Sequence, residues 1–249
     1  LDNEIVAYSH EMQEVKKLIS LVSGVNVNTI IMGEEGVGKT LIAKNITPNA
    51  IVVCGEKPED ILKALKNFDE VIIENFDKLP NPDLPIFERK KVVATSKKRI
   101  KDSSIDKLFG IKIELSPLSS RNEDIDGLIE LFLKNAKREL SIDWTPEISS
   151  IDRNITQNAH SLKRAVYYAL LCANTSKEQL GFIMEEYFYA HIEDESENYK
   201  PFLDIFDSAV IGANHKKFKS QLMMSYKMGI NRNTLRKKII GLGKKLDDE

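Results

Sequence analysis

Cysteine is scarce in this chain: two in 249 residues, Cys54 and Cys172, far apart. That excludes a disulfide framework and a cysteine metal site. Each follows an aliphatic run, Ile51–Val53 or Leu170–Leu171, and reads as a small buried apolar residue. The four histidines are scattered with no metal-ligand spacing. No apolar run approaches the ~18 residues of a membrane span, and no charged-then-apolar leader opens the chain. The expectation is a cytoplasmic protein with no membrane partner. The first residue is Leu1, not Met, which leaves a preceding domain open. Internal repeats and low-complexity segments are also missing.

What the chain has is a globular balance, 42% hydrophobic and 30% charged, enough for one large domain or two to three small ones. Its charge is unevenly placed. Gly212 to Glu249 holds ten Lys/Arg against three Asp/Glu, a net +7, which leaves −9 for the rest of the chain. A basic C-terminal module on an acidic body points to a polyanion partner for the module alone.

Two stretches carry chemistry. Gly33-Glu34-Glu35-Gly36-Val37-Gly38-Lys39-Thr40 fits the G-x-x-x-x-G-K-[ST] phosphate-loop pattern in full. It lies between a short buried strand, Asn28–Met32, and a helix that continues through Leu41–Lys44. Such a loop wraps backbone N–H groups around phosphate oxygens at a helix N-terminus. Gly33, Glu35, Gly36, Val37, Gly38, Lys39, Thr40 and Leu41 form the expected nucleotide-contacting set, with Lys39 on the β- and γ-phosphates. The expected ligand is ATP or ADP with Mg²⁺, the metal held by Thr40 and Glu74. Near the other end, Gly229 suits a tight turn and Asn231 a helix N-cap. Leu235 and Ile239 then make one apolar stripe. This reads as the second half of a helix-turn-helix on double-stranded DNA. Lys219, Asn231, Arg232, Asn233, Thr234, Arg236, Lys237 and Lys238 are the candidate DNA-contacting residues.

From about Phe202 to Leu242 the chain resembles the Fis-type helix-turn-helix that ends many bacterial enhancer-binding proteins, the activators of sigma-54 RNA polymerase. The phosphate loop and the strands after it resemble the AAA+ domain of the same family. That resemblance implies an α/β fold: a P-loop parallel sheet with helices on both faces, then an all-α lid, then an α-helical DNA-binding domain. The expected boundaries are 1–137 for the α/β domain, 138–193 for the lid, 194–200 for a linker and 201–249 for the DNA module. It also implies a homodimer through the early helices of the last domain, another transcription protein as a possible partner, and the bacterial cytoplasm.

Several hydrolytic positions depart from the family. Where its Walker B strand closes in Asp-Glu, this chain reads Glu74-Asn75, and an amide cannot act as a base. Asp77, two residues on, is a candidate replacement. The sensor 1 position holds Ser96 in place of Asn, and the sensor 2 position holds His160 in place of Arg. Lys101 and Lys107 stand where arginine fingers are expected, with a point charge in place of a planar fork. Only 34 residues separate Lys39 from Glu74, and the family's Gly-Ala-Phe-Thr-Gly-Ala sigma-contact motif is absent from the chain. The resulting expectation is a DNA-binding transcriptional regulator whose AAA+ domain binds nucleotide and hydrolyses it weakly or not at all. An active ATPase that remodels a transcription or replication complex, an architectural nucleoid-type protein and a protein-binding adaptor are the alternatives.

Overall fold

The computed structural model describes residues 3–79, 87, 89–97, 103–144, 146–192, 194 and 198–243. By internal contacts the chain divides into Leu1–Asn174 and Thr175–Glu249. The sequence placed the end of the lid at residue 193, so the helix after residue 174 is grouped with the C-terminal unit here.

The first unit is built on five parallel strands: β1 (Thr29–Gly33), β2 (Ile51–Cys54), β3 (Glu70–Glu74), β4 (Lys91–Ser96) and β5 (Ile111–Leu115), in the order β2-β3-β4-β1-β5. The three inner strands are near-continuous runs of Val and Ile because helices cover both their faces. Alternate side chains part to opposite sides. Ile31, Ile72 and Val93 meet α1 (His10–Ser23) and α2 (Lys39–Ile46). Ile30, Ile73 and Ala94 meet α3 (Pro58–Asn67), α4 (Ser103–Leu108) and the ring of Phe109. β2 is an edge strand, and Ile51 and Val52 remain exposed.

The strand before the phosphate loop, read as Asn28–Met32, runs one residue later, Thr29–Gly33. In α3 the buried positions are Ile61 and Ala64, with Leu65 half-buried. Leu62 and Phe68 are exposed. Ile61 and Ala64 are three apart and share a face, whereas Leu62 lies 100° round the helix from Ile61.

Two more helices complete this unit. α5 (Glu123–Leu140) and α6 (Ala159–Asn174) pack Ile129, Leu133 and Ala136 against Leu162, Val166 and Leu170. The stripe at 162, 166 and 170 leaves Cys172 on the far side of α6, exposed and free, so the expectation of a buried Cys172 is corrected. Cys54 is half-buried and also free.

The C-terminal unit holds α7 (Lys177–Ala190), α8 (Tyr199–Phe218), α9 (Gln221–Met228) and α10 (Arg232–Gly241). Ile211, Met224, Leu235 and Ile239 form its core. α8 runs on through Phe218. The break comes at Lys219, with a left-handed φ of 57°.

A buried carboxylate ties the start of the chain to α5. Asp124 accepts from the Tyr8 and Ser9 backbone N–H groups, each at 2.8 Å, and from the Ser9 hydroxyl at 2.7 Å. Ser9 in turn caps α1 by accepting from the Met12 N–H. The Arg121 guanidinium lies 3.6 Å from Asp124 and is also buried. Burial pulls the Arg121 pKa down, and Glu11 and Asp124 oppose that shift. Removing one member of a buried pair strands the other. Asp124→Ala should therefore cost this unit about 3 kcal/mol. Trp144 is the only tryptophan and lies in this unit, so its fluorescence during urea unfolding reads the change.

Candidate nucleotide site and helix-turn-helix

The phosphate loop links the C-terminal end of β1 to α2. Gly38 sits at the N-cap of α2 with φ of 107°, and Gly36 has φ of 79°. A Cβ at Gly36 would stand 2.5 Å from the Gln157 carbonyl oxygen. Glycine is therefore required there for backbone shape and for close approach of the segment before α6. Lys39 Nζ donates to the carbonyls of Gly33 at 2.8 Å and Glu34 at 2.6 Å. Burial lowers the Lys39 pKa, and the charges of Asp77 and Glu35 pull it back up.

The expected metal pair does meet: the Thr40 hydroxyl donates to Glu74 Oε1 at 2.6 Å. A cavity of about 410 Å³ opens here. Its polar floor holds Gly36 to Leu41, Glu74, Asn75 and Thr95. Its apolar wall holds Ile5, Val6, Leu128 and Phe132. A floor of backbone N–H groups, a Lys, and a Thr–Glu oxygen pair suits a polyphosphate with a hard cation. The apolar wall suits a flat ring. The residues present thus fit a nucleotide with Mg²⁺. Among the described residues no group of three or more His, Cys, Asp or Glu side chains could hold a metal by itself.

The remaining hydrolytic positions fall as follows. Asn75 lies on the cavity at φ 55°, and its N–H donates to Thr95 Oγ1 at 3.3 Å. Asparagine tolerates this left-handed conformation better than most side chains. Asp77 accepts from the Lys97 N–H at 2.9 Å, and Lys97 Nζ pairs with Glu35 at 3.3 Å. Ser96 is fully buried, and it is its neighbour Thr95 that lines the cavity. Lys107 is exposed on α4, and Lys101 lies outside the described residues. His160 lines the cavity, and so does Lys163 one turn further along α6. Lys163 carried a signal in the sequence, the i,i+3 spacing from His160.

Asn158 is the residue whose part was least visible in the sequence. It is buried, with φ of 51°. Its Oδ1 accepts from the Leu118 N–H at 2.7 Å, and its Nδ2 donates to the Glu35 carbonyl at 2.9 Å and Glu34 Oε2 at 3.1 Å. The Ala159 N–H donates to the Gly36 carbonyl at 3.1 Å. These bonds bind the phosphate loop to the first turn of α6.

In the C-terminal unit, Gly229 ends α9 at φ 66°. Asn231 caps α10, its side chain accepting from the Asn233 N–H at 2.8 Å. Leu235 and Ile239 face the core, while Arg232, Asn233, Thr234, Arg236 and Lys237 are exposed. Lys219 is also exposed, in the break before α9. Lys238 differs from the other candidates: it turns to α8 and pairs with Asp207.

Residues 5–59 match the family described as Sigma-54 interaction domain. The chain is 34% identical over 71 residues to the anaerobic nitric oxide reductase transcription regulator NorR of Serratia proteamaculans (strain 568). That stretch covers 25% of this chain and 14% of the relative. Among solved structures it is similar to NtrX from Brucella abortus in complex with ATP, at 15% identity and a TM-score of 0.57 over 96% of this chain and 70% of that one. The ADP complex of NtrX gives 15% identity and a TM-score of 0.59 over 98% and 70%. At this identity the likeness speaks to the fold. With the parallel sheet and the phosphate loop, it makes the N-terminal unit an α/β AAA+ fold.

Asn158→Ala should leave the Leu118 N–H and the Glu35 carbonyl without their partner, costing about 2 kcal/mol. Hydrogen exchange at the amides of Gly36 to Lys39 should quicken. Asn158→Gly keeps the left-handed backbone and should loosen the loop as well, which separates the amide bonds from backbone strain.

Proposed function

We propose that this chain is a DNA-binding transcriptional regulator with a sigma-54-activator-like AAA+ domain that binds ATP or ADP with Mg²⁺ and turns it over slowly or not at all. The observation that carries the reading is the contrast at the end of β3. Thr40 and Glu74 stand 2.6 Å apart beside an intact phosphate loop, while the next residue on the cavity, Asn75, is an amide. Lys39 would hold the β- and γ-phosphates, Thr40 and Glu74 the metal, and the wall of Ile5, Val6, Leu128 and Phe132 the base. Bound Mg²⁺ would neutralise phosphate charge. No side chain at position 75 takes a proton from water. The NtrX structures with ATP and ADP support nucleotide as the ligand class. The absence of a Gly-Ala-Phe-Thr-Gly-Ala motif argues against sigma-54 remodelling as this chain's own work.

Nucleotide then acts as a state signal: a ligand that binds one arrangement more tightly shifts the population toward it. DNA is read by α10, and the unit pairs with a second copy through α8. Two recognition helices then enter successive major grooves about 34 Å apart.

Equilibrium binding of labelled ATP and ADP with Mg²⁺, run beside a turnover assay, tests the first half. Tight binding, lost in Lys39→Ala, with turnover far below about 1 s⁻¹, is the expected result. Asn75→Asp supplies a carboxylate at the same side-chain length and should raise turnover at least about 10-fold. Turnover near about 1 s⁻¹ in the unaltered chain, abolished by Lys39→Ala, would restore the reading as an active ATPase that remodels a transcription or replication complex.

DNA binding tests the second half. Arg232→Ala or Arg236→Ala should weaken binding to a specific site by about 1–3 kcal/mol. Lys237→Ala should make the salt dependence shallower by about one unit. Lys238→Ala, whose amine is engaged by Asp207, should change it less. Equal affinity of the arginine variants and wild type would mean that α10 does not read DNA.

A further inference from the structure

Two long side chains of α6 line the nucleotide cavity, His160 and Lys163. They are held differently. A Cβ at Gly36 would stand 3.4 Å from His160 Cγ, so the imidazole lies against the phosphate loop. Lys163 comes one turn later and is exposed. Among the described residues its amine meets no carboxylate. It lies instead over the ring of Tyr167, 5.2 Å from the centroid.

The other cations on the cavity rest on hydrogen-bonding partners. Lys39 donates to the Gly33 and Glu34 carbonyls, and Arg121 is buried beside Asp124. A cation over an exposed ring is held weakly. An ammonium that donates to phosphate is held more strongly. The flexible four-carbon stem of Lys163 lets its amine exchange one for the other. Helical side chains lean toward the N-terminus of their helix. For α6 that is the end bonded to the phosphate loop, through Asn158 and the Ala159 N–H.

The ring is a fixed seat. Tyr167 is half-buried and packs against the core between α5 and α6. Its hydroxyl donates to Glu139 Oε2 at 2.5 Å, in the last turn of α5. Burial and that bond push the Tyr167 pKa up to about 12, so the hydroxyl stays a donor near neutral pH.

We propose that Lys163 is a phosphate-binding residue with two seats: over the Tyr167 ring in the free protein, and on the phosphate chain in the nucleotide complex. The loop then holds the phosphates from one side and α6 from the other. This rests on the reading of the cavity as a nucleotide site, and adds to it a residue that the phosphate-loop pattern does not contain. α6 ends at Asn174, and Ser176 already caps α7. The change of seat therefore takes place on the element that leads in sequence into the C-terminal unit.

Calorimetric titration of the full chain with ATP and with ADP, each with Mg²⁺, tests it, with circular dichroism confirming the fold of every variant. Lys163→Ala should weaken both nucleotides by about 10-fold, and Lys163→Arg should restore most of that loss. Tyr167→Leu removes the competing ring and should tighten both by about 3-fold. Tyr167→Phe keeps the ring, loses only the bond to Glu139, and should not. The ring also marks the amine, because protons above an aromatic face resonate upfield. The Lys163 ε-methylene signal should move downfield as ATP is added. If wild type binds nucleotide while Lys163→Ala binds it equally well, or while that signal stays in place, the role of Lys163 is overturned and the nucleotide reading stands. The same holds if His160→Ala loses the affinity that Lys163→Ala keeps, since the imidazole then makes the contact. A wild-type chain that binds neither nucleotide overturns both.

Discussion

The side chain of Asn158 is the constraint on which the nucleotide site depends. One amide serves a backbone N–H, a backbone carbonyl and a carboxylate, in a residue held left-handed. A Cβ at Gly36 would collide with the Gln157 carbonyl, so the phosphate loop and the segment before α6 fit only in this close arrangement. The cavity beside them exists because the two meet. The loop takes its curvature from glycine and its position from an asparagine more than 100 residues away.

The same local logic explains residues that look like losses. Asn75 departs from an acidic pattern, but it occupies a backbone conformation that few side chains accept readily. It makes the turn between β3 and the short 3-10 turn at Phe76–Lys78 with its backbone, its side chain giving no cap bond there. Backbone demand and lost chemistry thus coincide at one position. Around it, Asp77 is engaged by the Lys97 N–H and Glu35 by the Lys97 amine, so the charges near the loop are organised among themselves.

Much of the fold was legible because buried parallel strands announce themselves as aliphatic runs. β1, read as Asn28–Met32, is displaced by a single residue. The phosphate loop was legible because its glycines, lysine and threonine are consecutive. The Thr40–Glu74 meeting was expected from the threonine of the phosphate loop and from the likeness of the Glu74 strand to Walker B. Asn158 was not legible in this role: its three partners come from the phosphate loop and from Leu118, and no local pattern encodes such a bond. The end of α8 is not legible in the sequence, because Phe218 fits either helix by periodicity and the positive φ of Lys219 decides. Cys172 was misread because a preceding pair of leucines says nothing of which side of a helix comes next.

The exposed edge of the sheet has a consequence of its own. β2 offers Ile51 and Val52 to solvent on a strand that has, among the described residues, one unpaired side, and such a rim can template a foreign strand. Here the strand is only four residues long and runs straight into Gly55, where a Cβ would meet the Asn75 carbonyl oxygen at 2.3 Å. A ladder growing on this rim would end after two or three rungs. Brevity, rather than charge, guards this side of the molecule against edge-to-edge aggregation.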